Sequence, residues 1–305
     1  MKKSILFFLC AAFMGFSVSV SAETIKNKTF IDESFTGVKT IKVVQTVLDV
    51  NIVKAGSSDK TSVKCHVNQM ELNANDYRIG ARQVGSTLEI YQTPRSGFSF
   101  RRSDGYINIA AADGVKVVVV NAVSGDISVQ NLALDNLEAV STSGDVSVRA
   151  CAAGNLSIRS TSGDMRLDAV SSDLAVIRTT SGDIAIGNSG GNKIDISTTS
   201  GDVYAKGSPM GVDFSLVSIA STSGDLTVYM GPKVKQTVFK SVSGDIGLYL
   251  KGNLKNNNYS LGGVSSDISI SGVAVARKSL ELKFNKGGVD IKANAVSGDI
   301  YIKNY

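Results

Sequence analysis

The tripeptide Ser-Gly-Asp recurs at a near-constant step, and this periodicity restricts the possible folds more than any other feature of the chain. It stands at 124–126, 143–145, 162–164, 181–183, 200–202, 223–225, 243–245 and 297–299, with Ser265-Ser266-Asp267 as a ninth, variant copy. The first five copies lie 19 residues apart, and the later steps are 23, 20, 22 and 32. Two and four residues after each glycine come apolar pairs such as Ile127/Val129, Met165/Leu167 and Ile300/Ile302, with polar or small residues between them. A second alternating pair precedes the corner, as in Leu156/Ile158, Ala175/Ile177 and Val217/Ile219. Alternation of this kind is a strand with one buried face. Each repeat therefore reads as strand, corner, strand and a looser return.

A single coil of this kind has nothing to bury its apolar face against. Stacking coil on coil supplies the partner, with each strand paired in parallel to its counterpart one repeat away. Nine coils at one strand spacing each make a rod of roughly 40 Å. Parallel crossovers are right-handed in about 98% of cases. The fold class predicted is all-β: a right-handed parallel β-helix or β-solenoid with coils of about 19 residues. At the corner, glycine is expected to supply positive φ, and aspartate to accept backbone N–H groups as in an Asx turn. Two residues before the glycine stand Thr142, Thr161, Thr180, Thr199 and Thr222, or Val123, Val242, Val264 and Val296. These share one shape and read as a packed ladder.

The chain divides at sequence level into a signal peptide at 1–22, a lead-in of irregular β coils at 23–112, and the repeat solenoid at 113–305, continuous with the lead-in. Lys2 and Lys3 precede an apolar run from Ile5 to Val18, and Val20-Ser21-Ala22 suits signal peptidase. The run is too short for a membrane span, and Cys10 within it lacks the small residues that precede a lipidated cysteine. The lead-in shows strand patterns at 38–44, 48–53, 61–67, 87–91 and 106–110, interrupted by polar stretches near 68–85 and 92–105. It is expected to cap the solenoid's first edge, because an open edge invites aggregation. Repeats running almost to Tyr305 leave no room for a C-terminal sorting domain or membrane barrel. Loss of the signal removes two lysines and no acid, leaving 30 basic and 27 acidic side chains. That balance argues against a nucleic-acid binder.

Together, the signal peptide, the repeated Ser-Gly-Asp corners and segments such as Asp49-Val50-Asn51-Ile52 and Tyr106-Ile107-Asn108-Ile109 give the chain its likeness to known proteins. Over roughly Val38 to Tyr305 it resembles the exported bacterial β-strand-repeat family of adhesins, related to the autotransporter-adhesin head domain. The resemblance implies a β-solenoid in a cell-envelope or extracellular setting, periplasmic or outside the cell. It brings no catalytic residues.

Candidate sites were weighed against their structural alternatives. The column Asp126, Asp145, Asp164, Asp183, Asp202, Asp225 and Asp245, continued by Asp267 and Asp299, is the one candidate for metal. Stacked carboxylates about 5 Å apart repel by ~1 kcal/mol in water and ~3 kcal/mol at an effective dielectric of 20. Backbone N–H donors are the economical offset and calcium the sharper one. One aspartate per 19 residues does not supply the several oxygen ligands per ion that calcium β-rolls provide, so turn capping is preferred and no cofactor is expected. The serine column lacks a base, and His66, the only histidine, has no evident carboxylate partner. Cys65 and Cys151 read as small buried residues, with a disulfide as the alternative. Outward positions align Arg159 with Arg178 and Tyr229 with Tyr249, either as a sugar-contacting strip or, preferably, as a solvated face. The loop holding Arg95, Phe98, Phe100, Arg101 and Arg102 is a candidate grip for an acidic partner, with a plain surface loop as its alternative.

Extra residues enter at 205–215, 251–258 and 271–288, all read as returns, so individuality gathers on the edge opposite the corners. The reading is a non-enzymatic envelope or extracellular interaction protein, binding an unidentified protein or glycan through its return-loop edge. Its alternatives are a polysaccharide-active β-helix enzyme and a purely structural envelope component. The enzyme would need clustered carboxylates and aromatic platforms, whereas these acids are spread evenly and tryptophan is absent.

Overall fold

The computed structural model describes residues 23–72, 78–93, 103–207 and 212–305. The signal-like segment 1–22 and the loop 94–102, with all five of its candidate residues, lie outside them. The described strands join in one continuous sheet wound into a solenoid, with no α-helix and a single 3-10 turn at Leu254–Asn256. Each repeat contributes a strand leading into the corner, such as Ala133–Val140, and one leaving it, such as Val146–Arg149. We call the two stacks the inbound and outbound sheets.

Registers follow the repeat. Leu137 lies opposite Leu156, then Ala175, Ile194 and Val217 along the inbound sheet. Val146, Met165, Ile184, Val203, Leu226, Ile246 and Ile300 form the matching outbound column. Both stacks turn these columns onto one continuous core. Burying each large aliphatic side chain is worth about 1.5–3 kcal/mol.

The corner glycines have negative φ, contrary to the sequence expectation. Glycine is required there by close approach. A Cβ on Gly163 would collide with the carbonyl oxygen of Gly144 beneath it, and the same holds from Gly144 up to Gly244 and at Gly298. Positive φ occurs instead at the return, at Asn131 (60°), Ala150 (49°), Ala169 (54°) and Asn188 (47°). The threonine–valine column is likewise not a packed ladder. Thr142, Thr161, Thr180, Thr199 and Thr222 are exposed, as are its four valines. The buried column is the next one back: Ser141, Ser160, Thr179, Thr198, Ser221 and Ser241. Each of these hydroxyls accepts the N–H of the glycine three residues on, at 2.7–3.1 Å. This is local side-chain capping that no residue of the tripeptide itself performs.

Stacking departs from chain order at both ends. After the Asp245 corner the next coil outward is that of Asp299, and the Asp267 coil lies beyond it. The long strand Asn258–Ile270 pairs in parallel with both Asp290–Ala295 and Ile300–Asn304, and Ala274–Leu282 then runs antiparallel across it. Residues 271–288, read from sequence as a return insertion, therefore supply this capping strand. Replacing them with a short return would uncover the sheet edge. At the other end Thr40–Val44 and Asp49–Lys54 sit inside, next to the first Ser-Gly-Asp coil. Thr87–Thr93 and Ser103–Ala111 lie outside them. The antiparallel strands Lys60–Leu72, Glu23–Thr36 and Arg78–Val84 close the edge. The last of these occupies part of the stretch read as a polar interruption.

Two substitutions separate close approach from backbone conformation. Gly163→Ala should destabilise by about 3 kcal/mol through the carbonyl clash. Ala150→Gly should stabilise by ~0.5–1 kcal/mol by relieving the left-handed backbone, net of glycine's larger chain entropy. Chemical denaturation of both variants checks the opposite signs.

Candidate functional site

The most regular feature is the corner ridge. The N–H of Asp145 donates to the Oδ1 of Asp126 at 2.9 Å, and each later aspartate repeats the contact at 2.8–2.9 Å through Asp245, Asp299 and Asp267. At the first coil Asp49 takes the motif's place, accepting from the N–H of Asp126 at 3.0 Å. The serine N–H meanwhile donates to the carbonyl two residues before the motif glycine of the coil below, as Ser162 does to Thr142 at 2.9 Å. Each carboxylate up to Asp299 thus meets a backbone dipole that offsets repulsion from its neighbours, and Asp267 at the end of the column faces Arg277 at 3.5 Å. Among the described residues no three His, Cys, Asp or Glu side chains group as a metal site. Asp49 begins the column. Burial raises its carboxyl above the ordinary value, with Asp126 and Asp104 adding to the rise against the lowering N–H of Asp126.

Other sequence candidates fall as follows. Arg159 and Arg178 are register partners, but each has an acid on an adjacent strand: Glu138 at 3.6 Å and Asp195 at 2.9 Å respectively. Such exposed pairs contribute about 0–1 kcal/mol. His66 is half-buried, with its Nδ1 3.0 Å from the Thr29 hydroxyl. Cys65 and Cys151 are both free and buried. Burial pushes the Cys65 thiol up to about 12, which keeps it protonated and unreactive. Cys151 belongs to the core column at the return, between Leu132 and Val170.

Two surfaces differ from coil to coil. On the return edge of the early coils, a hollow of about 630 Å³ is lined by Lys54, Asp113, Lys116, Ala133, Ala150 and Ala152 among others. Small side chains in the returns open it, and the Lys54–Asp113 ion pair at 2.9 Å borders it.

The second surface is the outer face of the outbound sheet in the later coils. Tyr229 and Tyr249 are register partners, with rings stacked at 4.3 Å and 5°. Tyr305 meets Tyr229 edge-on at 5.0 Å, and Tyr301 meets Tyr249 edge-on at 6.3 Å. Lys206, Lys303 and Lys251 hold their ammonium groups 5.0–5.3 Å from the rings of Tyr229, Tyr301 and Tyr305. Sequence reading found the Tyr229/Tyr249 pair and missed the rest of this cluster. Its signal was present: Lys206, Tyr229, Tyr249 and Lys303 each stand five residues after a corner glycine.

Asp164→Ala should remove the acceptor for the Asp183 N–H and lower stability by ~1 kcal/mol, while Asp164→Asn keeps an oxygen there and changes little. Calcium and chelator should leave both melting curves unmoved; a calcium-dependent rise would restore the metal reading. For Asp49 the raised value means that folding favours the neutral acid, a contribution present below the ordinary 3.8 and lost as pH rises through the folded value. Asp49→Asn should therefore gain stability over the wild type at neutral pH and lose that gain in acid.

Residues 38–303 match the sequence profile of the Toastrack DUF4097 family. Among solved structures, the chain is similar to a "putative lipid binding protein" from Parabacteroides distasonis ATCC 8503. The TM-score is 0.53 at 13% identity, covering 92% of this chain and 97% of that one. It is also similar to a "putative adhesin" from the same strain, with a TM-score of 0.47 at 14% identity over 94% and 98% of the chains. A "putative adhesin" from Parabacteroides merdae ATCC 43184 gives 0.47 at 16% identity over 92% and 96%. At these identities the likeness concerns the fold alone. No curated protein matches the chain.

Proposed function

The chain belongs to the Toastrack DUF4097 family, and from that premise we propose an exported, non-enzymatic interaction protein of the cell envelope or extracellular space. Its parallel crossovers are taken as right-handed, and its contacts with a protein or glycan partner are assigned to the return edge. The observation that carries this reading is how the repeated polar groups are used. Aspartate carboxylates accept the N–H of the next coil, and buried hydroxyls accept the glycine N–H. These groups hold the rod together, so the ridge that dominates the sequence serves architecture. Variation at the return edge includes the hollow beside Lys54 and Lys116, a concave, mixed-polarity surface of ligand size. The 3-10 turn at Leu254–Asn256 adds relief on the same edge.

The names of the structural neighbours, adhesin and lipid-binding protein, are compatible with surface binding and contribute no residue. Among the described residues no helix is long and apolar enough to cross a membrane.

The test is capture of envelope proteins and glycans by the purified chain, run beside a polysaccharide-degradation screen. Specific capture without product is expected. The double variant Lys116→Glu/Ala133→Arg should keep the melting temperature and weaken capture by about tenfold. Turnover of any polysaccharide would overturn the non-enzymatic reading, and unchanged capture by the double variant would remove the return edge from it.

A further inference from the structure

The outer face of the outbound sheet carries a second surface, built from the later coils and separate from the return-edge hollow. The column three residues after the corner glycine runs Arg166, Ala185, Tyr204, Thr227, Gly247, Tyr301, and the column five after it runs Asp168, Gly187, Lys206, Tyr229, Tyr249, Lys303. Where both columns shrink, at Ala185 and Gly187, a notch of about 390 Å³ opens, walled by Arg166 and Asp168 on one side and by Tyr204 and Lys206 on the other. Tyr204 is 48% exposed at its rim. Beyond the notch the aromatic cluster begins.

Ring orientation decides what this cluster can hold. Tyr229 and Tyr249 lie one strand spacing apart and stack face to face, so their planes stand across the solenoid axis as a wall. Tyr301 is 81° from Tyr249 and lies over Gly247, where a Cβ would meet its ring atoms at 2.5 Å. Burial, followed by Tyr249, raises its hydroxyl above the ordinary value, so it stays a neutral phenol. The result is a ring lying over Gly247 and set edge-on to an upright wall, with the Lys303 ammonium 5.0 Å from its centroid. A ring set this way suits the C–H surface of a sugar, and the ammonium groups of Lys206 and Lys251 stand over the neighbouring Tyr229 and Tyr305 rings. The two columns carry three cations, Arg166, Lys206 and Lys303, against the one carboxylate of Asp168, and Asp245 and Asp213 lie near Tyr301 and Tyr305 at the border. Five coil steps from Arg166 to Tyr301 span about 24 Å, the length of several linked sugars.

We propose that this strip binds an acidic polysaccharide, with uronate-type carboxylates on Arg166, Lys206 and Lys303 and sugar rings seated on Tyr301 and Tyr204. Cross-strand tyrosine pairing alone would stabilise the sheet by ~0.2–1 kcal/mol per pair. It would account for neither the notch nor the cations gathered around the rings. The inference goes beyond the interaction role proposed above and uses different residues, so either can fail without the other.

The experiment measures binding of the purified full chain to alginate and polygalacturonate, with neutral dextran and poly-glutamate as comparisons. Alginate or polygalacturonate should bind, and the double variant Lys206→Gln/Lys303→Gln should bind about tenfold more weakly. The charge-matched control Lys240→Gln/Lys292→Gln, on the inbound sheet, should stay near wild type. Tyr204→Ser, at an exposed position that leaves folding intact, should weaken polysaccharide binding with an unchanged melting temperature. Four results would overturn the proposal: no binding of either acidic polysaccharide, equal binding of poly-glutamate, equal loss in the control pair, or wild-type affinity in Tyr204→Ser. If acidic polysaccharide binding is lost in the strip variant while partner capture persists, the two surfaces are distinct. Loss of capture with strip binding retained would sink only the return-edge reading.

Discussion

Consecutive corners approach so closely that the Cα of one glycine lies against the carbonyl of the glycine one coil below. From Gly144 to Gly244 and at Gly298 a Cβ would strike that carbonyl, and the contact keeps each coil in register with the next. Leu48 and Ser266 hold the equivalent place outside that run. The other corner interactions depend on it. With the glycines in place, the following aspartate N–H meets the carboxylate beneath it, and the preceding serine N–H meets a carbonyl. The glycine's own N–H is left to the buried hydroxyl three residues back. A corner built this way gives the serine, glycine and aspartate N–H groups partners within the protein, although it is sharp and repeated along the rod.

A uniform corner leaves the faces of the rod free to vary. Side chains on the outbound sheet sit in columns one strand spacing apart, so a change in one repeat is felt by its neighbours above and below. Two small residues, Ala185 and Gly187, are enough to open a notch. A third, Gly247, makes the space in which Tyr301 lies down. Relief in such a rod arises from departures from the repeat, and these departures cluster in the later coils and at the returns.

Much of the architecture was legible beforehand. Period-two alternation around each Ser-Gly-Asp marked both strands of every coil, and the 19-residue step marked their pairing. That the aspartates accept backbone N–H groups was also readable, because repulsion in a carboxylate column demands an offset. The Asx turn expected from sequence is, however, replaced by the aspartate N–H of the next coil. Other details were misread for physical reasons. Glycine at a corner suggests positive φ, and only the stacked carbonyls show that steric room is the need. The conformational demand sits at the return, on Ala150 and Ala169, whose identity advertises nothing. The exposed threonines looked packed because they share one shape with the valines. Alternation carried on from Leu156 and Ile158 instead turns Ser160 inward and Thr161 outward, and the capping hydroxyls lie in that earlier column.

The amino-acid order alone determined the coils, their two strands and the columns into which side chains fall, because local alternation and a constant step are properties of the chain. Which coil lies beside which was decided by tertiary structure. In chain order Ser269 would be the neighbour of Gly247; in the fold the Asp299 coil comes between, and Tyr301 lies there instead. The coil that lacks a corner glycine, with Ser266 in its place, is left at the end, where Gly263 makes room for the serine side chain and an antiparallel strand closes the edge. A strand's own pattern says which face is buried but not which neighbour covers its edge. That choice is made when the last coils compete to cap the rod, and it assembles the aromatic, cationic surface.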